Sequence, residues 1–243
     1  MTGAPEHHGT LFLLPTGLGE TGWPNVIPAE TRETACRLQH FIVENAKTAR
    51  ASLKWLQHPI PLRELLIEQL PEPLQSKDIT RLLEPLRTGT SVGLMSEAGC
   101  PGIADPGALL IREAHATGIP VKPLVGPSSL LLALMASGLD GQRFCFHGYL
   151  PARDPERRQR IIELEKESLQ KTQTQLFIET PYRNEALFEA LLPACQANTL
   201  LCLASDLTLP TESVMTRSIA TWRAQKKPAL DRRPTVFLLL SAR

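Results

Sequence analysis

The sequence has little net charge to offer a partner. Its 26 Lys and Arg residues nearly balance 25 Asp and Glu residues, so the formal net charge is +1 at pH 7. A chain this close to neutral has no general electrostatic attraction for nucleic acid or membranes. Any such partner would have to be bound through a local patch.

The sequence also lacks paired cysteine motifs and long hydrophobic runs. The number of cysteines is odd and none are spaced as C-x-x-C; they are Cys36, Cys100, Cys145, Cys195 and Cys202. This pattern is typical of reduced thiols, so we expect a cytoplasmic protein without a bound metal. No stretch approaches the ~18 apolar residues of a membrane span, and the N-terminal residues do not resemble a signal peptide. We therefore expect no membrane association.

Short β-rich apolar runs alternate with longer amphipathic runs, a pattern typical of an α/β protein with mainly parallel strands. Strands are predicted at TLFLL, HFIV, SVGLM, VKPLV, RFCFH, TQLFI, TLLCLA and TVFLLL. Helices are predicted near 47–57, 78–87, 107–117, 128–137, 155–170 and 183–192. The helix near 155 is expected to have Asp154 as its N-cap and Pro155 at its first position.

The length of 243 residues is compatible with one or two domains. The last third has strand-like pieces separated by threonine-rich and basic loops, which indicates a more mixed second sheet. We place a boundary near residues 123–127. The prediction is an N-terminal α/β domain over 1–125 and a C-terminal α/β domain over 126–243.

The stretch SEAGCPGIADPG, residues 96–107, holds three glycines, two prolines and two acids between a predicted strand and a predicted helix. Neither element tolerates this composition in its interior, so the segment is a loop of unusual backbone geometry. In open α/β sheets, ligands bind outside the carboxyl ends of the strands, where such a loop would lie. The sequence alone leaves two interpretations open, a binding loop and a tight structural turn.

A second glycine motif suggests a different ligand. Gly17, Gly19 and Gly22 spell G-x-G-x-x-G after the first strand, and Glu44 follows the second strand about 20 residues on, as in a dinucleotide-binding site. That site requires a helix to begin within the glycines, whereas Pro24 and Pro28 delay it here. A nicotinamide-dependent oxidoreductase is therefore the weaker hypothesis.

Five blocks, in order and spacing, resemble the tetrapyrrole (corrin/porphyrin) methylase superfamily and most closely its ribosomal RNA small subunit methyltransferase I branch. They are GTLFLLPTGLGE, SEAGCPGIADPG, VKPLVGPSSLLLALMASGL with FCFHGYLP, QLFIETPYRNEALFEAL, and CLASDLTLPTE. The resemblance runs from about residue 9 to the C-terminus. It implies two α/β domains with S-adenosylmethionine held in the cleft between them, and a homodimer.

The resemblance also implies which residues bind the cofactor. A loop without bulky side chains can offer backbone donors and acceptors at close range. The assigned residues are Gly99, Cys100, Pro101, Ile103 and Asp105 in the glycine-rich loop, Ser128 and Ser129 in the central block, and Ile178 and Glu179 in the second domain. Each serine could equally be a helix cap, each glycine a turn residue, and Asp105 the N-cap of the following helix.

The catalytic residues are less clearly indicated. Methyl transfer from a sulfonium needs alignment and exclusion of water, and a hydroxyl acceptor would also need a base. The acids near the expected cleft are Glu44, Glu97, Asp105 and Glu179. The first three are catalytic candidates, and the sequence does not rank them.

Two departures from the ribosomal branch bear on the acceptor. This chain has Thr16-Gly17 in place of Thr-Pro, and residues 44–47 read Glu-Asn-Ala-Lys in place of Glu-Asp-Thr-Arg. Both indicate a sister group with its own target. RNA could bind the segment 217–233, which has six Lys or Arg residues against one Asp, with Trp222 stacking on a base. The alternative for this segment is a solvated surface.

These observations and the resemblance favour an S-adenosylmethionine-dependent methyltransferase acting on RNA, similar to the ribosomal RNA 2′-O-methyltransferases, whose acceptor is a ribose hydroxyl. Three alternatives stay open at this point: a methyltransferase acting on a tetrapyrrole or another small molecule, a nicotinamide-dependent oxidoreductase, and a cofactor-binding regulatory protein without turnover.

Overall fold

The computed structural model of the protein describes residues 8–241. They form two compact units that divide between Ser128 and Ser129. Each unit has a five-stranded sheet of its own. No helix within residues 8–241 combines the length and the apolar character needed to cross a bilayer.

The first unit alternates strands and helices from end to end. Its elements are β1 (Leu11–Leu14), α1 (Ala29–Arg37), β2 (His40–Val43), α2 (Ala46–Trp55), β3 (Leu66–Gln69), α3 (Ser76–Arg87), β4 (Val92–Met95), α4 (Ala108–Ala116) and β5 (Val121–Pro123). The strands are all parallel, in the order β3-β2-β4-β1-β5. The predicted parallel first sheet is confirmed.

Helices cover both faces of this sheet, which explains why its inner strands are continuously apolar. All four residues of β2 are buried, and successive side chains point to opposite faces. Ile42 packs with Leu83 of α3 and Leu110 of α4, whereas its neighbour Phe41 packs with Leu53 of α2.

The second unit has a mixed sheet. Its elements are α5 (Ser129–Ser137), β6 (Phe144–Tyr149), α6 (Glu156–Lys171), β7 (Thr174–Ile178), α7 (Asn184–Ala194), β8 (Leu200–Ser205), β9 (Ser213–Ser218), α8 (Ile219–Ala224) and β10 (Thr235–Leu240). The strand order is β6-β7-β10-β8-β9, and only β6 and β7 pair in parallel. This confirms the mixed second sheet.

All eight predicted strands and all six predicted helices are present. The sequence patterns missed α1, β3, β9 and α8. Helix α1 buries Thr31, Thr34 and Ala35, which are small or polar and give no apolar periodicity. The strands β3 and β9 lie at the edges of their sheets, where partial exposure admits polar side chains.

Two helix starts have physical consequences. Helix α6 begins at Glu156, with Pro155 as its N-cap residue, so the predicted capping by Asp154 is wrong; Asp154 instead pairs with Arg157 at 3.2 Å. Helix α2 has Asn45 as its N-cap, and the Asn45 side chain accepts hydrogen bonds from the backbone N–H groups of Lys47 and Thr48. One of the departures from the ribosomal branch thus has a structural role.

Candidate functional site

The strand order of the first unit identifies where a ligand would bind. Strands β1 and β4 are neighbours; the chain leaves β1 towards β2 on one side and leaves β4 towards β5 on the other. Such a switch in direction opens a crevice outside the carboxyl ends of the two strands. The two loops that begin there are the two glycine-rich segments of the sequence, 15–22 after β1 and 96–107 after β4.

The loop 96–107 has a backbone that needs its glycines. Gly99, Gly102 and Gly107 have φ values of 72°, 78° and 125°, and Ala104 has a φ of 64°. The left-handed region is accessible to glycine without strain but is costly for alanine. Strained positions of this kind cluster at functional sites.

Other loops of the first unit hold this segment in place. The backbone N–H of Thr16 donates to the carbonyl of Gly99 at 2.8 Å, and the Cys100 thiol donates to the carbonyl of Pro127 at 3.4 Å. A Cβ added to Gly126 would lie 2.2 Å from Cγ of Pro15, so this contact requires glycine. We name residues 15–22, Glu44, 96–107 and 124–127 the first loop cluster.

Three carboxylates belong to the first loop cluster. The backbone N–H of Glu97 donates to Oε2 of Glu44 at 3.1 Å. Burial raises the pKa of Asp105 to about 6; the Glu44 charge adds to the rise, a hydrogen bond with Ser96 opposes it, and Glu97 raises it further. The three catalytic candidates from the sequence are therefore brought together.

The structure distinguishes the roles proposed for individual residues of the loop. Helix α4 has Gly107 as its N-cap residue, so Asp105 is not the cap that the sequence left as an alternative. Pro101 is buried, whereas the Ile103 side chain is 49% exposed. Burial, followed by the charge of Asp105, raises the pKa of Cys100, which keeps that thiol protonated.

Thr16 is a residue of this cluster that the sequence patterns did not indicate. It is buried, and its hydroxyl has no hydrogen-bond partner among residues 8–241. An unused hydroxyl beside Gly99 is an available partner for a ligand. Its pairing with Gly99 spans more than 80 residues of chain, so no local pattern could have found it.

The second unit has its own group of polar loops. Strands β7 and β8 both run antiparallel to β10, so both end at the edge where β10 begins. We name the residues of this edge, 179–184, 206–212 and 229–234, the second loop cluster. Ile178 is the last residue of β7, and Glu179 follows it directly. Ser129, the first residue of α5, lies in this unit, and Ser128 is the last residue of the first.

Carboxylates in the second loop cluster are engaged by arginine. The Glu179 side chain is 1% exposed and accepts from Arg183 at 2.7 Å and from the Thr180 backbone N–H at 2.7 Å. Asp206 accepts from Nε of Arg233 at 2.7 Å. The Glu179 carboxylate is therefore committed to ordering its own loop.

The basic segment 217–233 differs from its prediction. Trp222, for which stacking on a base was one of two interpretations, is 2% exposed, and its indole N–H donates to the carbonyl of Leu201, so the stacking interpretation is wrong. Arg223 donates to the carbonyls of Leu192 and Cys195, and Arg233 is held by Asp206. Arg232 has an 88% exposed side chain.

The geometry required for a dinucleotide site is not present. Only a short 3-10 turn, Trp23–Asn25, follows the glycines of the first motif, and α1 begins later, at Ala29. No helix N-terminus within residues 17–22 can receive a pyrophosphate. Within residues 8–241, no group of three or more His, Cys, Asp and Glu side chains is arranged to hold a metal ion.

Comparisons with known proteins found similar sequences over most of the chain. Residues 29–222 match the family described as Tetrapyrrole (Corrin/Porphyrin) Methylases. The sequence is 32% identical over 239 residues to Ribosomal RNA small subunit methyltransferase I of Xylella fastidiosa (strain Temecula1), which spans 96% of this chain and 81% of that protein. The protein of the same name from Escherichia coli O157:H7 is 29% identical over 249 residues, spanning 98% and 79%.

Solved structures share the architecture. Diphthine synthase aligns with a TM-score of 0.65 at 15% identity, covering 96% of this chain and 89% of that chain. The methyltransferase CobJ aligns with a TM-score of 0.62 at 18% identity, covering 97% and 94%. At such identities the likeness establishes the fold alone.

Proposed function

We propose that this chain, which belongs to the tetrapyrrole (corrin/porphyrin) methylase family, transfers a methyl group from S-adenosylmethionine to ribosomal RNA. Family membership makes it a methyltransferase. The identity of the donor and of the acceptor is the proposal.

One observation supports this acceptor above the others. The similarity to proteins named Ribosomal RNA small subunit methyltransferase I extends over nearly the whole chain and over four-fifths of the relative. It therefore includes both units, rather than a cofactor-binding half alone. The oxidoreductase alternative loses its support because no helix begins at the first glycine motif.

The first loop cluster fits S-adenosylmethionine in shape. The cofactor carries a sulfonium, an amine, a carboxylate, a ribose and an adenine, so it needs close backbone approach as well as acidic groups. A Cβ at Gly99 would point between the Leu18 side chain, at 3.5 Å, and the Pro127 carbonyl, at 3.7 Å, and would fill this cradle. Gly99, Cys100, Pro101, Ile103 and Asp105 are the proposed contacts.

The acidic residues of the first loop cluster also suit the positive charge of S-adenosylmethionine. Within residues 8–241, no Lys or Arg forms an ion pair with Glu44, Glu97 or Asp105. A cationic ligand would relieve the repulsion among these acids. From the second unit we propose Ser129, Ile178 and Glu179 as contacts, with Ser128 at the junction. Glu179 would contribute its backbone, because its carboxylate is taken by Arg183.

When bound, S-adenosylmethionine supplies an electrophilic methyl group on a sulfonium. The protein must align the acceptor oxygen with the methyl carbon, exclude water and take the proton that the acceptor hydroxyl loses. Asp105 is suited to that last role, because a carboxylate with a pKa of about 6 is ionised at neutral pH and is more basic than an ordinary aspartate. The negative charges of Glu44 and Glu97 contribute to this raised pKa of Asp105.

RNA binding is proposed to use the exposed part of the basic segment. Lys226, Lys227 and Arg232 have exposed side chains, although Lys227 pairs with Glu189 and Arg232 lies 3.9 Å from Asp231. Arg223 and Arg233 are held by other residues of the unit. Phosphate contacts by the exposed cations would supply affinity and salt dependence.

Assembly and compartment are part of the same proposal. A homodimer is supported by apolar side chains left exposed in the second unit, Leu131 and Met135 one turn apart on α5 and Tyr149 on the edge strand β6. Five free thiols support a reducing cytoplasm.

Transfer of label from radioactive S-adenosylmethionine tests the function. The substrates are small ribosomal subunits, ribosome-depleted RNA and a small-molecule extract, all from a strain lacking this protein. We expect label in small-subunit RNA with the wild-type protein and none with Gly99→Val. Label in a tetrapyrrole or another small molecule, with every RNA fraction unlabelled, would overturn the proposed acceptor.

A further inference from the structure

The first unit contains a pocket whose walls include none of the residues proposed to contact the cofactor. Its volume is about 490 Å³, within the range of roughly 300–1,000 Å³ typical of small-ligand sites. It lies between the segment 17–22 and helix α2, and its walls include Gly17, Gly19, Glu20, Ser52 and Trp55. The first glycine motif therefore does line a cavity, although not one with the geometry of a dinucleotide site.

Trp55 forms a fixed wall of this pocket. Its indole N–H donates to the carbonyl of Thr21 at 2.5 Å, so the ring is tied to the loop that faces it. A Cβ added to Gly17 would lie 3.1 Å from Cη2 of Trp55, closer than nearly all real contacts of that kind. The backbone of the loop can approach the Trp55 ring this closely because Gly17 has no side chain. Gly17 is one of the positions at which the sequence departs from the ribosomal branch.

The remaining walls suit a planar polar ring. Glu20 is exposed and Ser52 is half-buried, so both can form hydrogen bonds with the edge of a ligand. An aromatic wall with polar groups at its rim is how proteins hold unstacked nucleobases, through stacking and contacts to the base edge. A carboxylate accepts from an exocyclic amino group, so Glu20 favours bases that carry one.

The loop that lines the pocket is connected to the proposed cofactor loop. Its loop continues directly from Thr16, which pairs with Gly99 of the cofactor loop. Leu18, between the pocket glycines, lies 3.5 Å from the position that a Cβ of Gly99 would take. The segment 17–22 therefore contacts the loop 96–107 through Leu18 and lines the pocket through its glycines.

We propose that the pocket between the segment 17–22 and helix α2 receives a nucleobase of the acceptor RNA, stacked on Trp55 with an amino-bearing edge towards Glu20. The inference rests on the proposed function and names the residues of this chain that recognise the substrate. It also gives the departure at Gly17 a role, since a larger residue there would displace the Trp55 ring.

The first test is fluorescence of Trp55. The variant Trp23→Phe leaves Trp55 and the buried Trp222 as fluorophores. We expect saturable quenching by AMP, CMP or GMP, weaker binding of UMP by several-fold, and no quenching when Trp55→Phe is added. Glu20→Gln should abolish the discrimination against UMP. Absence of quenching by all four nucleotides would overturn the proposal.

The second test is transfer to RNA. Loss of one stacked base is worth about 1–3 kcal/mol, so Trp55→Ala should raise KM for RNA by on the order of 10-fold, with the affinity for S-adenosylhomocysteine unchanged. Trp55→Phe should restore most of the loss, since it keeps a stacking ring. Trp23→Phe is the matched control: Trp23 lies under the Arg32 guanidinium at 4.8 Å and is not part of the pocket wall, so its KM should stay at the wild-type value.

Different results would contradict the pocket inference and the proposed function. If RNA is methylated and Trp55→Ala leaves KM unchanged, the pocket inference is wrong and the proposed function stands. If nucleotides quench Trp55 but no RNA accepts a methyl group, the proposed function is wrong.

Discussion

The acidic residues of the two loop clusters differ in whether a basic side chain pairs with them. In the first, Glu44, Glu97 and Asp105 lie together without a basic partner among residues 8–241, and the pKa of Asp105 rises to about 6. In the second, Glu179 and Asp206 each accept a hydrogen bond from an arginine at 2.7 Å. Charge is left uncompensated in the first cluster and is satisfied internally in the second.

The clusters also differ in how they hold a left-handed backbone. The loop 96–107 uses three glycines for this, and an added Cβ would be crowded at Gly102 and Gly107 but would make only ordinary contacts at Gly99. The second loop cluster places Asp206 and Thr208 in the same region, at φ values of 52° and 73°, and anchors them with side chains; the Thr208 backbone N–H donates to Glu212 at 2.7 Å. The first arrangement is the one that we propose binds a cationic ligand, whereas the second orders a loop. Four predictions test this contrast.

The largest effect is expected at Gly99. Gly99→Val places a branched side chain in the proposed cradle and should weaken S-adenosylhomocysteine binding by at least about 100-fold, as a steric loss on the order of 3 kcal/mol. Calorimetric titration measures the affinity. Gly118→Val is the matched control, because Gly118 has a similar φ of 74° with nothing within 4 Å of the added Cβ. It should carry the same backbone strain with wild-type affinity, and equal losses of affinity in both variants would refute the role of Gly99.

The second-largest effect is expected on the stability of the Glu179→Gln variant. Glu179→Gln removes a buried carboxylate charge whose partner, the Arg183 side chain, is 35% exposed, so it should lower the free energy of unfolding by about 1–2 kcal/mol. Chemical denaturation measures it. Asp231→Asn is the control, since Asp231 meets Arg232 at 3.9 Å with both side chains exposed, and a change within about 0.5 kcal/mol is expected there. A Glu179→Gln variant as stable as wild type would remove the contrast between the clusters.

The Asp105→Asn substitution should change the free energy of unfolding in the opposite direction from Glu179→Gln. A folded-state pKa of about 6 lies above the unfolded value of about 4, so the proton-linked stabilisation is complete below pH 4 and is lost as pH rises through 6. Asp105→Asn should therefore be more stable than wild type at pH 8 by about 1–2 kcal/mol, allowing for solvent screening, and should show no such gain at pH 4. Denaturation at the two pH values measures the difference.

The same variant separates stability from catalysis. Wild-type kcat/KM should rise with pH through about 6, and Asp105→Asn should lose activity while gaining stability. An active variant with an unchanged pH profile would exclude Asp105 as the base and leave it an electrostatic role towards the cofactor.

The smallest effect is expected on the basic segment. Replacing both Lys226 and Arg232 with Ala should reduce the slope of log affinity for RNA against log salt by about 2, with unchanged S-adenosylhomocysteine affinity, because each cation releases about one counterion. Filter binding across a salt series measures the slope. Arg233→Ala should instead lower stability, since Arg233 holds Asp206 and donates to the carbonyl of Thr211 at 2.7 Å.

Much of the fold could be predicted because its strands are continuously apolar. Runs such as SVGLM and TVFLLL form buried inner strands. The glycines and prolines of residues 96–107 predict a loop between a strand and a helix. The partly exposed elements β3 and β9 lack such a signal, and α1 buries threonines.

The site was predictable only where it is contiguous in sequence. The stacking interpretation of Trp222 failed because this residue lies in a basic stretch of the sequence but packs in the apolar core, edge-on to Phe188 with ring centroids 5.5 Å apart. No sequence pattern indicated Trp55, because only the fold brings Gly17 to it. The contact between Thr16 and Gly99 likewise depends on the fold. Contacts between distant loops depend on strand order, which the apolar pattern does not specify.

The most direct test of the central claim, that the first loop cluster is a site for S-adenosylmethionine, is calorimetric titration of the full chain with S-adenosylhomocysteine and, separately, with NADH. We expect saturable binding of S-adenosylhomocysteine that Gly99→Val abolishes and Gly19→Val weakens less, with no heat from NADH. Binding of NADH that Gly19→Val abolishes, together with no binding of S-adenosylhomocysteine, would contradict it.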